Sequence, residues 1–178
     1  MKRASSGYTL MEVMVSLAVL AVGAAGVIGL QKVTGVANSY TRNLATASRI
    51  AAKWVERLEL DGRQWSDTTG FGSTYWLKSA TAAPGQWTTP VERPSFASPD
   101  ADVLGADIFP GDTADPAFCT QVRLTTLSGF SGAIRAEVRV FWEKAGDPIN
   151  CNVTGDAVNA APSRYGSVHN VIAIVASK

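Results

Sequence analysis

The feature that most constrains this sequence is an uncharged apolar segment close to the amino terminus. It covers residues 13–30, and Ser16 carries its only hydroxyl group. A helix of about 20 apolar residues is long enough to cross a lipid bilayer. Lys2 and Arg3 precede the segment, which predicts a cytoplasmic amino end with the bulk of the chain across the membrane. We therefore expect a single membrane-spanning helix.

An acidic residue at the start of this segment argues against an ordinary secretory signal. Such a signal, cut near Ala24 and Ala25, is the alternative interpretation. Here, however, the polar residues 5–9 separate the positive charges from the apolar segment, and Glu12 directly precedes it. A carboxylate in a membrane helix costs about 2.5–3.5 kcal/mol at the bilayer centre and less near the interface. Glu12 is therefore expected to be functional and to have a positively charged partner.

The residues Gly7-Tyr8-Thr9-Leu10-Met11-Glu12, followed by a long apolar helix, resemble the class III signal of type IV pilins and pseudopilins. The resemblance implies that a membrane-bound prepilin peptidase cuts between Gly7 and Tyr8 and methylates the new amine of Tyr8. It also implies that Glu12, as fifth residue of the mature chain, pairs with such an amine in a filament. Tyr8 departs from the phenylalanine or methionine that is commonest there.

The apolar segment continues without a break into an amphipathic one. Apolar side chains recur on one helix face at alternating spacings of three and four residues, at Ala37, Tyr40, Leu44, Ala47, Ala51, Trp54 and Leu58. Asp61 and Gly62 offer a helix end. We predict one helix over residues 9–61, of which 8–30 form the transmembrane and filament-core half and 31–62 the amphipathic half that packs on a sheet. Residues 1–7 are the cleaved leader.

Residues 63–118 give no clear periodic pattern. Proline is concentrated there, and residues 92–115 carry six acidic side chains against Arg93 alone. We interpret the acidic stretch as a solvated loop rather than a calcium site, because it lacks the ligand pattern of an EF-hand. Trp76, Trp87 and Phe96 leave two readings open, a ligand-binding loop or aromatic core packing.

The last third of the chain reads as strands. Residues 134–142 alternate apolar and polar or aromatic side chains, which predicts a half-buried strand paired in a hairpin with residues 122–127. Residues 168–176 are apolar on both faces, which predicts a central strand. The predicted fold class is α+β, a pilin fold in which the long helix packs on a C-terminal antiparallel sheet within a 63–178 domain. With export predicted, Cys119 and Cys151 are expected to form a disulfide; two reduced, buried cysteines are the alternative.

Two further segments resemble the PilV group of minor pilins. They are residues 10–15 with Gly29-Leu30-Gln31, and the strand Val138-Arg139-Val140-Phe141-Trp142. This resemblance implies a complex with other minor pilins that primes pilus assembly, with the major pilin and a large tip adhesin among the partners. It also implies an inner-membrane location before assembly and an extracellular pilus afterwards, with roles in motility and adhesion. A minor pseudopilin of a type II secretion system is the alternative within this class.

Composition argues against most catalytic and nucleic-acid-binding functions. A formal net charge of +1 excludes a broad basic surface for nucleic acid. The single histidine, His169, and two cysteines leave little material for a metal site, and the sequence has no G-x-S-x-G, H-E-x-x-H or Walker A motif. We expect no enzymatic activity, cofactor or metal. A membrane-anchored extracytoplasmic enzyme or binding module is the alternative from a different class.

Overall fold

The computed structural model describes residues 9–66, 70–80, 83–127, 129–130, 132–146 and 148–176. The predicted cleavage positions, Gly7 and Tyr8, lie outside this range. The chain divides into two compact units, Met1–Thr41 and Arg42–Lys178. The helix α1, Leu10–Gly62, contributes to both units. Its bounds agree within one residue with the predicted helix, which is therefore confirmed.

The second unit contains a four-stranded antiparallel sheet with strand order β1-β2-β3-β4. The strands are β1 Asp100–Ala101, β2 Phe118–Thr126, β3 Ala133–Glu143 and β4 Tyr165–Val175. β2 and β3 form the predicted hairpin, with Val122 opposite Val138. Gly129 and Gly132, with φ of 89° and 77°, take up the left-handed backbone of its turn. The predicted α+β class, with a long helix packed on a C-terminal antiparallel sheet, is confirmed.

The prediction that the last strand lies centrally in the sheet is wrong. β4 pairs with β3 alone among the described strands and lies at the edge of the sheet. Ile174 on this strand is buried, whereas Val171 and Val175 are exposed. The face that carries Val171 and Val175 is exposed, so apolar residues on both faces of this strand do not mean that both faces are covered. They carry no information about how many of its edges are paired.

The main core lies between the carboxyl-terminal part of α1 and one face of the sheet. From the helix it includes Ala47, Ala51, Trp54 and Leu58, and from β3 it includes Ile134, Ala136, Val138, Val140 and Trp142. The predicted apolar stripe is therefore only partly buried. Ala37 is exposed, as are Tyr40 and Leu44, because burial against the sheet begins at Ala47.

The opposite face of the sheet, which we call the outer face, is also covered. Glu137, Arg139 and Phe141 of β3 are buried. The prediction that this strand is buried on one face only is therefore wrong. Trp87 packs over Arg139, and the short helix α3, Gly155–Ala160, contributes the carbonyl oxygen of Gly155 to the same guanidinium. The alternation of residues along β3 could not predict this burial, because Trp87 and α3 lie far from β3 in the sequence.

The disulfide between Cys119 and Cys151 is present in the structure, with a Cα–Cα distance of 5.3 Å. It ties β2 to the segment that leads into α3. Both cysteines belong to a small second core, together with Phe141, Ile149, Val153, Val158, Ala161 and Tyr165. The bond therefore anchors the outer layer to the sheet.

Residues 63–118 fold through contacts with α1 rather than through local periodicity. The described elements before β1 are a 3-10 turn, Phe71–Ser73, and the helix α2, Trp76–Ala80. The carboxylate of Asp61 accepts hydrogen bonds from the backbone N–H groups of Tyr75, Trp76 and Leu77 at 2.7–2.9 Å. The end of α1 thus fixes the start of α2.

The predicted acidic loop is held by specific partners. Asp107 accepts hydrogen bonds from Lys53 and Arg57 of α1, and Asp102 accepts two from the backbone N–H groups of Leu104 and Ala106. These carboxylates therefore organise the loop and join it to the helix.

Candidate N-terminal signal and assembly segment

The described part of the signal begins at Thr9, directly after the predicted cleavage positions. The backbone N–H of Glu12 donates to the carbonyl oxygen of Thr9 at 3.0 Å and to its Oγ1 at 3.3 Å. A threonine followed three residues later by glutamate matches the capping box that starts many helices. Thr9 and Glu12 therefore help to fix the amino-terminal end of α1. The interpretation of the sequence missed this second role, although the T-x-x-E spacing was visible.

The carboxylate of Glu12 stands in the first turn of α1 on an exposed side chain. Within the described ranges, no basic side chain lies within ion-pair distance of it. A negative charge at this end is favoured by the helix dipole, by about 0.3–1 kcal/mol at an exposed site. The geometry therefore leaves the carboxylate available to a cation from outside the described residues.

The surface that follows Glu12 is almost entirely apolar and is exposed in the isolated chain. An 18-residue stretch of α1 has a mean hydropathy of 2.4, and none of it is buried. Leu17, Leu20 and Ile28 are each more than half exposed. Contiguous apolar surface of this extent requires lipid or other protein around it. The segment is compatible with a single-pass membrane anchor.

Three glycines at three-residue spacing leave the surface of this segment open. A Cβ atom added at Gly23, Gly26 or Gly29 would meet no other group within 4 Å, and the same holds for Gly35. Small residues of this kind permit close approach of a second helix in an apolar environment.

Residues 2–28 match a family model described as the prokaryotic N-terminal methylation motif. The chain carries a prepilin-type signal. The match supports a type IV pilin-like protein that is processed by prepilin peptidase and assembles with pilin-like partners. Comparison with curated proteins and comparison with solved structures each gave no match. The matched residues do not extend beyond the first half of α1.

The three aromatic residues considered for a ligand-binding loop do not form one cluster, because Trp76 and Phe96 are in contact and Trp87 lies elsewhere. Trp76 is buried in the main core, where its ring meets that of Trp54 edge to face at 5.7 Å. Phe96 stacks on Trp76 and is half exposed. Trp87 lies instead over arginines of the outer face. Core packing therefore accounts for Trp76, and no single loop displays all three rings.

His169 lies on β4 beside Trp87, with the two ring centroids 5.5 Å apart. Partial burial, followed by the positive charges of Arg139 and Arg123, lowers the pKa of His169, and Glu137 opposes this shift. Its Nε2 lies 3.4 Å from Oγ of Ser167. The described residues contain no group of three or more metal-ligating side chains.

Proposed function

We propose that this chain is a minor subunit of a type IV pilus that acts in a complex priming pilus assembly or standing at the pilus tip. The observation that carries the proposal is an acid, Glu12, in the first turn of α1, directly before the uncharged residues 13–30 and within a match to the methylation motif. A sheet domain that holds a disulfide is in keeping with export. On this proposal the protein has no enzymatic activity.

Processing would create the partner that Glu12 lacks. Cleavage after Gly7 leaves an ammonium group on Tyr8, and methylation keeps its charge. The positive end of the α1 dipole disfavours that ammonium but favours a carboxylate. Within an apolar bundle, an unpaired charge is costly and a paired one much less so. Pairing between Glu12 and the amine of its own or a neighbouring subunit would therefore favour ordered entry into a filament.

The PilV-like assignment rests on residues 10–15, Gly29-Leu30-Gln31 and the strand Val138-Arg139-Val140-Phe141-Trp142. On this assignment the chain first spans the inner membrane with a cytoplasmic amino end. It then enters the pilus beside other minor pilins and the major pilin, near a large adhesin, and contributes to motility and adhesion. A minor pseudopilin of a type II secretion system would carry the same signal and is the second candidate.

Deletion of the gene and co-purification of the native protein together test this proposal. We expect deletion to abolish or sharply reduce surface pili, with restoration by the wild-type gene. We expect cross-linked membranes to yield other minor pilins with this chain. Normal piliation after deletion, together with recovery of secretion-system subunits, would contradict the pilus assignment and favour the pseudopilin.

A further inference from the structure

A cavity of about 600 Å³ opens on the outer face of the sheet, within the second unit. Its floor includes Gln121 and Arg123 of β2, and its sides come from residues 85–89 and 152–159. The ring of Trp87 lies beside it, with the guanidinium carbons of Arg123 and Arg139 at 4.7 and 4.4 Å from the ring centroid. Arg123 thus lines a cavity that the sheet, a loop and α3 build together, and Arg139 lies against the same Trp87 ring.

Arg139 behind this cavity is a fully buried cation that meets only neutral acceptors. Its guanidinium donates to Asn159 Oδ1 at 2.6 Å, to the Gly155 carbonyl at 3.2 Å and to Gln121 Oε1, while its Nε has no partner. No carboxylate of the described ranges lies within ion-pair distance. Burial, followed by repulsion from Arg123, lowers the pKa of Arg139 to about 10, although Asp156 opposes this shift. A buried cation without a contacting anion is costly.

The same contacts make the cavity lining rich in hydrogen-bond donors. The amide oxygen of Asn159 accepts a hydrogen bond from Arg139, so the NH₂ group of Asn159 points away from Arg139 and is able to donate to a ligand. Arg123 uses Nε and Nη2 on Glu137, which leaves Nη1 unoccupied. Thr154 Oγ1 accepts from the N–H of Ala157, so its own hydroxyl proton remains to be donated. These three side chains all line the cavity.

The charges around the cavity favour an anion of single charge. Glu137 pairs with both Arg123 and Arg135, and Asp156 is the carboxylate in the lining. Arg135 is half exposed, so the charge that lacks a contacting counterpart is that of the buried Arg139, for which Asp156 is a carboxylate beyond ion-pair distance. A dianion would meet repulsion from Asp156, whereas a neutral ligand would leave the buried charge uncompensated.

We propose that this cavity binds a small organic monocarboxylate, which accepts hydrogen bonds from Arg123, Asn159 and Thr154. Trp87 supplies apolar contact area beside the carboxylate, and Arg139 supplies the positive field behind it. The ligand places a negative charge near Arg139, which has no carboxylate of the described residues within ion-pair distance. This site is independent of the N-terminal signal and of the proposed pilus role.

Calorimetric titration of the full-length protein in detergent micelles tests the site. The probes are D-glucuronate and acetate as monocarboxylates, glucose as a neutral comparator and inorganic phosphate. We expect saturable binding of a monocarboxylate that weakens with added salt, and weaker or no binding of glucose and phosphate. Loss of one charged hydrogen bond should reduce affinity by about tenfold or more in Arg123→Gln.

Variants separate ligand binding from folding. Asn159→Ala removes a donor from an exposed side chain and is expected to weaken carboxylate binding several-fold. Because it also removes an acceptor of the buried Arg139, it is expected to lower stability, so denaturant unfolding is measured beside it and affinity is compared under conditions in which the variant is folded. Arg93→Gln, an exposed arginine outside the cavity, is the matched control and should bind as the wild type does. The proposal is overturned if neither carboxylate binds saturably, if glucose binds as tightly, or if Arg123→Gln and Asn159→Ala both retain wild-type affinity.

Discussion

Glu12 contributes two features to the start of α1, and a substitution changes the second while keeping the first. Its backbone N–H is capped by Thr9, and its carboxylate stands at the start of the apolar half of the helix. We predict that Glu12→Gln, which keeps a residue suited to the capping box, is cleaved and methylated normally but enters filaments at least about tenfold less, because charge pairing is lost. Immunoblots of sheared filaments and of membranes measure the two pools.

A matched control for this substitution is Glu56→Gln, which neutralises an exposed acid on the same helix. It should leave incorporation unchanged. Glu12→Ala should resemble Glu12→Gln in filament entry. If Glu12→Gln enters filaments normally and only Glu12→Ala fails, the residue acts through the helix end and the pairing hypothesis is wrong.

Asp61 lies at the carboxyl-terminal end of α1. The helix before it was predicted from the sequence, whereas the fold of residues 63–118 after it was not. Its buried carboxylate accepts three backbone hydrogen bonds that start α2. We predict that Asp61→Ala lowers the free energy of unfolding by about 2–4 kcal/mol, because buried N–H groups lose charged acceptors. Denaturant unfolding followed by tryptophan fluorescence measures it.

Asp112→Ala provides the comparison for Asp61. This exposed carboxylate accepts one backbone hydrogen bond, from Phe109. We expect its removal to cost less than about 1 kcal/mol. Equal losses for the two variants would contradict the special role assigned to Asp61.

At the level of secondary-structure elements, sequence reasoning succeeded where periodicity and turn chemistry act locally. The bounds of α1 and the β2–β3 hairpin follow from apolar spacing and from glycines in the turn. The edge position of β4 could not be predicted, because hydropathy does not report which edges of a strand are paired. Residues 63–118 depend on long-range contacts such as Asp107 with Lys53 and Arg57, which leave no local pattern.

The disulfide connects two elements that are distant in sequence. Cys119 and Cys151 are separated by 32 residues, and their bond joins β2 to the chain before α3. We predict that replacing both by serine lowers the free energy of unfolding by about 3–4 kcal/mol, because the unfolded chain gains conformational freedom. Urea unfolding of the oxidised wild type and of the double variant measures the difference.

The wild type unfolded in reductant is the internal control for this prediction. It should match the double serine variant within about 1 kcal/mol, since both lack the cross-link. A double variant as stable as the oxidised wild type would show that the bond adds nothing to the fold.

At the scale of the whole molecule, the two units differ in where their apolar side chains lie. The first unit exposes apolar side chains that need lipid or neighbouring subunits, and the second encloses its own core. Uneven hydropathy made this division predictable. The outer-face cavity was not, because Trp87, Arg123, Arg139 and Asn159 come from four separate segments that only the fold brings together.

Mass spectrometry of the amino-terminal peptide, taken from protein extracted from membranes with active prepilin peptidase, tests the central claim most directly. We predict a mature chain that begins with N-methylated Tyr8, lacks residues 1–7 and carries Glu12 as its fifth residue. A chain that retains Met1, or one cut beyond Ala21, would contradict the assignment to the pilin-like class.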